Sequence, residues 1–130
     1  MAVTIVAWVE DLFFLAKIRE TAKALGIAVV WDNAQRGPAA AAEVSPQAIF
    51  VDLNNRRFPA VDSIRALKAD SATQSIRVIG FVSHVQEGLI AEARAAGCDA
   101  VMARSAFAQQ LPSLLRSLLA ADGRTADSSK

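Results

Sequence analysis

Apolar residues in this chain fall into short runs, separated by stretches in which they recur at helical spacing. The runs Thr4–Val9, Ile27–Trp31, Ile49–Leu53, Ile76–Val82 and Ala100–Ala103 are rich in Val, Ile, Phe and Trp, and each predicts a strand. Leu15, Ile18, Ala22 and Leu25 place a helix over Leu12 to Leu25, stopped by Gly26. Pro38 suits the first turn of a short helix over Ala39 to Val44. Ile64, Leu67 and Lys68 belong to a helix that begins near Ala60, and Gln86 to Ala96 to one stopped by Gly97. Leu111, Leu114, Leu115, Leu118 and Leu119 form the apolar face of a last helix, with Pro112 expected in its first turn, where proline is tolerated. Five strands alternating with five helices through short links predict an α/β fold: a doubly wound, five-stranded parallel sheet with helices on both faces.

The chain has 130 residues, 53% of them apolar, and a net charge of +1. That composition excludes a disordered chain. The small net charge and scattered Lys and Arg give no field that would draw in nucleic acid or a membrane. Cys98 is the single cysteine; it permits no intrachain disulfide and no zinc cluster, and is expected to be small buried filler in a reducing cytoplasm. The apolar N-terminal stretch lacks a preceding basic region, and Glu10 and Asp11 interrupt it, well short of the roughly 20 apolar residues of a membrane span. One domain over residues 1–121 is expected. Residues 122–130, made of Gly, Ser, Thr, Ala and charge, are expected to be a flexible tail.

Asp52 carries the candidate chemistry. It closes the run Ala48-Ile49-Phe50-Val51, so it falls at the C-terminal end of a buried strand, where open α/β sheets place their sites. Strand one brings Glu10 and Asp11 to the same rim. Asn54 follows Asp52, strand four brings Ser83 and His84, and strand five brings Arg104 and Ser105. Converging carboxylates favour a hard divalent cation such as magnesium. A carboxylate beside such an ion can attack an activated phosphoryl group and form an acyl phosphate, whose oxygens a hydroxyl and a cation can hold. Each residue also has a plainer use: Asp52 as a loop cap, Glu10 and Asp11 as an N-cap and first-turn acid, Ser83 as a cap of the next helix, Arg104 in a surface ion pair.

The ordered set resembles the receiver domains of bacterial response regulators over about residues 3–120. Glu10-Asp11 matches the acidic pair after strand one, Asp52 the phosphoacceptor, and Ser83 the hydroxyl residue that ends strand four. Gly97-Cys98-Asp99 matches the Gly-x-Asp before strand five, Arg104 the basic residue that ends it, and Phe107 the aromatic beyond. The resemblance implies a flavodoxin-like (βα)5 receiver fold. It implies magnesium held by Glu10, Asp11, Asp52 and the backbone carbonyl of Asn54, with Ser83 and Arg104 contacting the phosphoryl group. The implied role is that of a cytoplasmic, single-domain signalling protein, not an enzyme. It would be phosphorylated by a histidine kinase or phosphotransfer protein and would signal by protein–protein contact.

The pattern is broken in places. Receivers carry Lys followed by Pro at the end of strand five, whereas this chain reads Ala103-Arg104-Ser105-Ala106-Phe107. Counting from Gly97 puts the Lys position on Arg104; counting back from Phe107 puts it on Ser105. Arg differs from Lys in shape and reach. Val101 stands where many receivers have a switch aromatic, and the segment after Asp52 lacks Pro-x-x-x-Gly. His84 replaces a small residue and would crowd or gate the pocket. These departures leave open a pseudo-receiver that acts as an interaction module without phosphorylation. A flavin-type binder on the same frame is disfavoured, because the first loop is acidic and no Gly-x-Gly-x-x-Gly is present. No Gly-x-Ser-x-Gly surrounds Ser83, so a hydrolase triad is not indicated. Trp8, Trp31, Phe13, Phe14 and Phe50 are expected in the core, and an exposed aromatic at 13 or 14 would mark a partner surface.

Overall fold

In the computed structural model, residues 3–31, 37–55, 58–83 and 86–121 are described. Arg56, Arg57, His84 and the expected tail 122–130 lie outside them. The strands are β1 (Thr4–Trp8), β2 (Ala28–Trp31), β3 (Ala48–Asp52), β4 (Arg77–Val82) and β5 (Ala100–Ala103). The helices are α1 (Leu12–Ala24), α2 (Gly37–Val44), α3 (Ala60–Ala69), α4 (Glu87–Ala96) and α5 (Arg104–Ala121). The strands form one parallel sheet in the order β2-β1-β3-β4-β5, which is the predicted doubly wound arrangement.

Alternate residues of the central strands face opposite layers, because the strand period is two. Ile5, Ala7, Phe50, Ile79 and Phe81 pack under α1 and α5, against Phe14, Ile18, Phe107, Leu111 and Leu115. Val6, Trp8, Ile49, Val51 and Val78 pack on the other face, against Ala41, Ile64, Leu67 and Ala93. β3 is buried along its whole length, as expected of the middle strand of a sheet covered on both sides.

Local chemistry sets the boundaries. Asp11 caps α1 by accepting from the N–H groups of Phe13 (2.9 Å) and Phe14 (3.2 Å). Beyond α4, Gly97 adopts φ +109°, a left-handed conformation that ends the helix. A Cβ there would also lie 2.6 Å from Lys68 Cγ. Lys68 is anchored in turn: its Nζ donates to the carbonyls of Gln74 (3.2 Å) and Ile76 (2.8 Å) and to Asp99 Oδ2 (3.0 Å). That Asp99 oxygen also accepts from the backbone N–H of Val78 at 2.7 Å. The Gly97-Cys98-Asp99 segment thus fastens α3, β4 and β5 together at the end of the sheet away from Asp52. Cys98 is buried filler, as expected.

Two expectations need correction. Pro112 is not in a first turn; it lies inside α5, because the helix starts at Arg104, directly after β5. No Gly or Pro separates Ala103 from Phe107, so nothing delays helix initiation. Of the aromatics expected in the core, Trp8, Phe14 and Phe50 are buried, but Phe13 is 90% exposed and Trp31 is also exposed. β2 is an edge strand with one side open, which leaves Trp31 at the surface; its Nε1–H donates to the Val9 carbonyl at 2.8 Å.

Candidate functional site

The C-terminal ends of β1, β3 and β4 and the start of α5 bring Glu10, Asp11, Asp52, Asn54, Ser83 and Arg104 to one rim of the sheet. Asp52 is the last residue of β3, paired in register with Phe81, and is only 7% exposed. Its Oδ1 accepts from the backbone N–H of Asn54 at 3.1 Å. Its own carbonyl accepts from Asn55 Nδ2 at 2.6 Å, and Asn55 Oδ1 accepts from the N–H of Phe58 at 2.9 Å. These side chain–backbone bonds are Asx-type turns, a local geometry for which Asp and Asn are suited. They tie Asp52 to Asn54 and Asn55, and Asn55 to Phe58, in a segment that lacks Pro-x-x-x-Gly.

Burial raises the Asp52 pKa above the usual carboxylate value. The Asn54 N–H and Arg104 oppose that shift, while the charges of Glu10 and Asp11 add to it. Asp52 is therefore an acid set among acids, in electrostatic contact with the groups the sequence placed beside it.

Asn54 bridges two loops, because its Oδ1 accepts from the N–H of Ser83 at 2.5 Å. That bond fixes the backbone of Ser83 beside the β3 end, with Ser83 itself exposed at the rim. The N-cap of α4 is Gln86, without a side-chain capping bond, so Ser83 does not cap that helix.

Asp11 and Arg104 meet directly. Arg104 Nη2 donates to Asp11 Oδ2 at 2.6 Å, and the guanidinium lies 4.2 Å from the centre of the Phe14 ring. The Arg104 hydrogen bond is the leading cause of an Asp11 pKa held below the usual value; the α1 N–H groups add to it and desolvation opposes it. Of Arg104 and Ser105, Arg104 is the one that meets an acid of the rim, Asp11. Ser105 lies on the next position of α5 and, with Phe14, Val82, Ser83, Arg104 and Ala108, lines an adjoining cavity of about 440 Å³. Phe107 is fully buried and stacked on Phe81 at 4.9 Å between centroids. Val101 pairs with Gly80 and packs towards the α3–α4 layer.

Phe14 is the site residue that the sequence reading missed. It packs in the core, as expected, and is also the platform under Arg104. Nothing in the spacing of residues 14 and 104 could show that contact.

The donor set at the rim consists of hard oxygen atoms, the chemistry that suits magnesium. Among the described residues, no group of three or more His, Cys, Asp and Glu side chains is close enough to hold a metal by itself. A divalent ion here would draw on Asp52, one or both of Glu10 and Asp11, and the Asn54 carbonyl, with the Arg104 guanidinium already on one of those carboxylates.

No family model matches the chain, and no curated protein sequence does. Solved structures match its fold. A response regulator from Hahella chejuensis superposes with a TM-score of 0.80 at 15% identity, covering 91% of this chain and 96% of that one. The chemotaxis protein CheY4 of Vibrio cholerae gives 0.77 at 13% identity, covering 91% and 99%. A response regulator from Burkholderia multivorans gives 0.73 at 23% identity, covering 91% and 95%. The fold is that of response-regulator receiver domains. Among the described residues, no helix is long and apolar enough to cross a membrane.

Proposed function

We propose that this chain is a phosphoryl-accepting receiver that signals by protein–protein contact. The observation that carries the reading is the buried Asp52 carboxylate at the end of the central strand, under the combined influence of Glu10, Asp11 and Arg104. An Asp52 oxygen attacks the phosphorus of a phosphodonor, the bond from phosphorus to the donor's leaving group breaks, and an acyl phosphate forms. Magnesium, when bound by Asp52, the acidic pair and the Asn54 carbonyl, would neutralise charge on the phosphoryl oxygens. Asp52 must be ionised to attack, and Arg104 favours that form. Ser83, held in place through Asn54, offers a hydroxyl to a phosphoryl oxygen. The donor in the cell would be a histidine kinase or phosphotransfer protein, and the setting cytoplasmic.

The test is labelling with acetyl phosphate and magnesium, read by intact mass. We expect one phosphoryl adduct on the wild type and none on Asp52→Asn. An unlabelled wild type, under conditions that label a control receiver, would reject the reading.

Two observations favour the second reading, a pseudo-receiver that works as an interaction module. Arg104 is engaged by Asp11 and Phe14, and Val101 offers no aromatic switch. On that reading, magnesium does not bind and Asp52→Asn leaves partner capture unchanged. Phosphorylation that alters partner affinity would eliminate it.

A further inference from the structure

We propose that β2 pairs antiparallel with the β2 of a second copy of this chain, joining two five-stranded sheets across a two-fold axis. This goes beyond the phosphoryl chemistry of the rim and does not depend on it.

β2 ends the sheet, with β1 as its neighbour on one side. Among the described residues, nothing bonds its outer backbone groups. The register decides which groups those are. Ala28 donates its N–H to the Val3 carbonyl at 3.0 Å, and Ala28 and Val30 are the partners of Thr4 and Val6. Ala28 and Val30 therefore turn their N–H and C=O groups towards β1, while Val29 and Trp31 turn theirs outward. Natural sheet edges are guarded by charged side chains, proline or bulges. This edge reads Ala-Val-Val-Trp and carries no charge or proline. Val30 is 36% exposed and Trp31 45%.

The edge is complementary to itself, which selects a second copy as its occupant. With the two-fold at Val30, Val29 of each copy falls opposite Trp31 of the other. These are the residues with outward groups, so each such pair exchanges both of its backbone bonds. Their side chains share a face: Val29 packs towards the α1 layer, and Trp31 is in register with Ala7 of that layer. The indole of one copy then covers the valine of the other, an aromatic–β-branched cross-strand pair that the symmetry makes twice. The indole is already positioned, because its Nε1–H donates to the Val9 carbonyl at 2.8 Å, so little side-chain freedom is lost on pairing. No like charges meet, since the strand has none. Each copy has a single β2, so the two-fold closes the assembly at a dimer. A strand of 4 residues makes an interface at or below about 1,200 Å², which sets pairing at high micromolar chain concentration.

The experiment is sedimentation velocity from about 10 µM to about 1 mM chain, with amide hydrogen exchange by NMR at both ends of that range, on wild type and Val30→Lys. The lysines of that variant would face each other at the two-fold, where like charges repel and where edge lysines block pairing. We expect the wild type to pass from monomer to dimer, and the Val29 and Trp31 amides to exchange about tenfold more slowly at the upper concentration. The Ala28 and Val30 amides, bonded to β1, should be protected alike at both. Val30→Lys should stay monomeric throughout. A wild type that remains monomeric, leaving the edge to a strand of another protein or to none, would overturn the proposal. So would a dimer whose Val29 and Trp31 amides exchange as they do in the monomer, or one that persists in folded Val30→Lys. If Val30→Lys does not fold, the exchange pattern of the wild type decides alone.

Discussion

Asp99 offers a test that separates the architecture of this fold from its chemistry. Its Oδ2 accepts the N–H of Val78 at 2.7 Å and the Lys68 ammonium at 3.0 Å. Val78 is fully buried, so in Asp99→Ala its N–H loses a charge-assisted acceptor. Such bonds are worth about 1.5–3 kcal/mol. The Lys68 contact, with Asp99 44% exposed, adds less than about 1 kcal/mol. Water can replace part of what is lost at a half-exposed site, which puts the total near ~2 kcal/mol. For a domain of this size that lowers Tm by roughly 8 °C. Asp99→Asn keeps an acceptor oxygen for Val78 and loses only the charge, so it should cost about 0.5–1 kcal/mol. Urea unfolding at pH 7 measures both. Phosphoryl labelling of Asp52 should be unchanged where both variants are folded, because Asp99 stands at the opposite end of the sheet. An Asp99→Ala cost within about 0.5 kcal/mol of the Asp99→Asn cost would refute the role given to the Val78 bond.

Two further predictions concern the rim and α5. Asp52 has a raised pKa in the folded protein, so the native state holds that proton more tightly than the unfolded chain. The stability this gives is complete below the ordinary carboxylate value and is lost as pH rises through the raised one. Asp52→Asn should therefore be more stable than wild type at pH 7, with the difference shrinking towards pH 3 in urea titrations; a constant or inverted difference would contradict the burial argument. Pro112 lies inside α5 and lacks the N–H that would bond the Ala108 carbonyl. Pro112→Ala should raise stability by about 1–3 kcal/mol, seen as a higher urea midpoint at unchanged slope; a lower midpoint would mean that the proline is needed where it stands.

What could be read in the sequence was whatever repeats with a period. β3 declared itself through an unbroken apolar run closed by Asp52, and Gly26 and Gly97 marked helix ends because both adopt positive φ. Periodicity does not register contacts between residues far apart in the chain. The Lys68–Asp99 pair and the seat of Arg104 on Phe14 depend on topology and needed the three-dimensional structure. The misplacement of Pro112 has a local cause. A proline suggested a helix start, but the segment from Ala103 to Phe107 holds no residue that would keep it from being helical, and the helix begins there. Phe13 is exposed, at one of the two positions where an exposed aromatic would mark a partner surface. The exposure of Trp31 is not legible in the sequence, because a central strand and an edge strand look alike until the strand order is known.

Asp11 serves two helix ends at once. Through Oδ1 it caps α1, where an anion is favoured by the helix dipole. Through Oδ2 it holds Arg104, a cation in the first turn of α5, where the dipole disfavours positive charge by about 0.3–1 kcal/mol. That conflict at α5 is relieved only while Asp11 faces it. Both helices lie in the same layer, and Phe14 of α1 meets Phe107 of α5 at 5.8 Å and Phe81 of β4 at 5.0 Å. Asp11 is thus joined through Arg104 and Phe14 to the α1–α5 layer. Val101 stands on the other face, towards α3 and α4. The contacts of Arg104 therefore lead into the α1–α5 layer and its phenylalanine cluster, whereas Val101 faces the opposite layer.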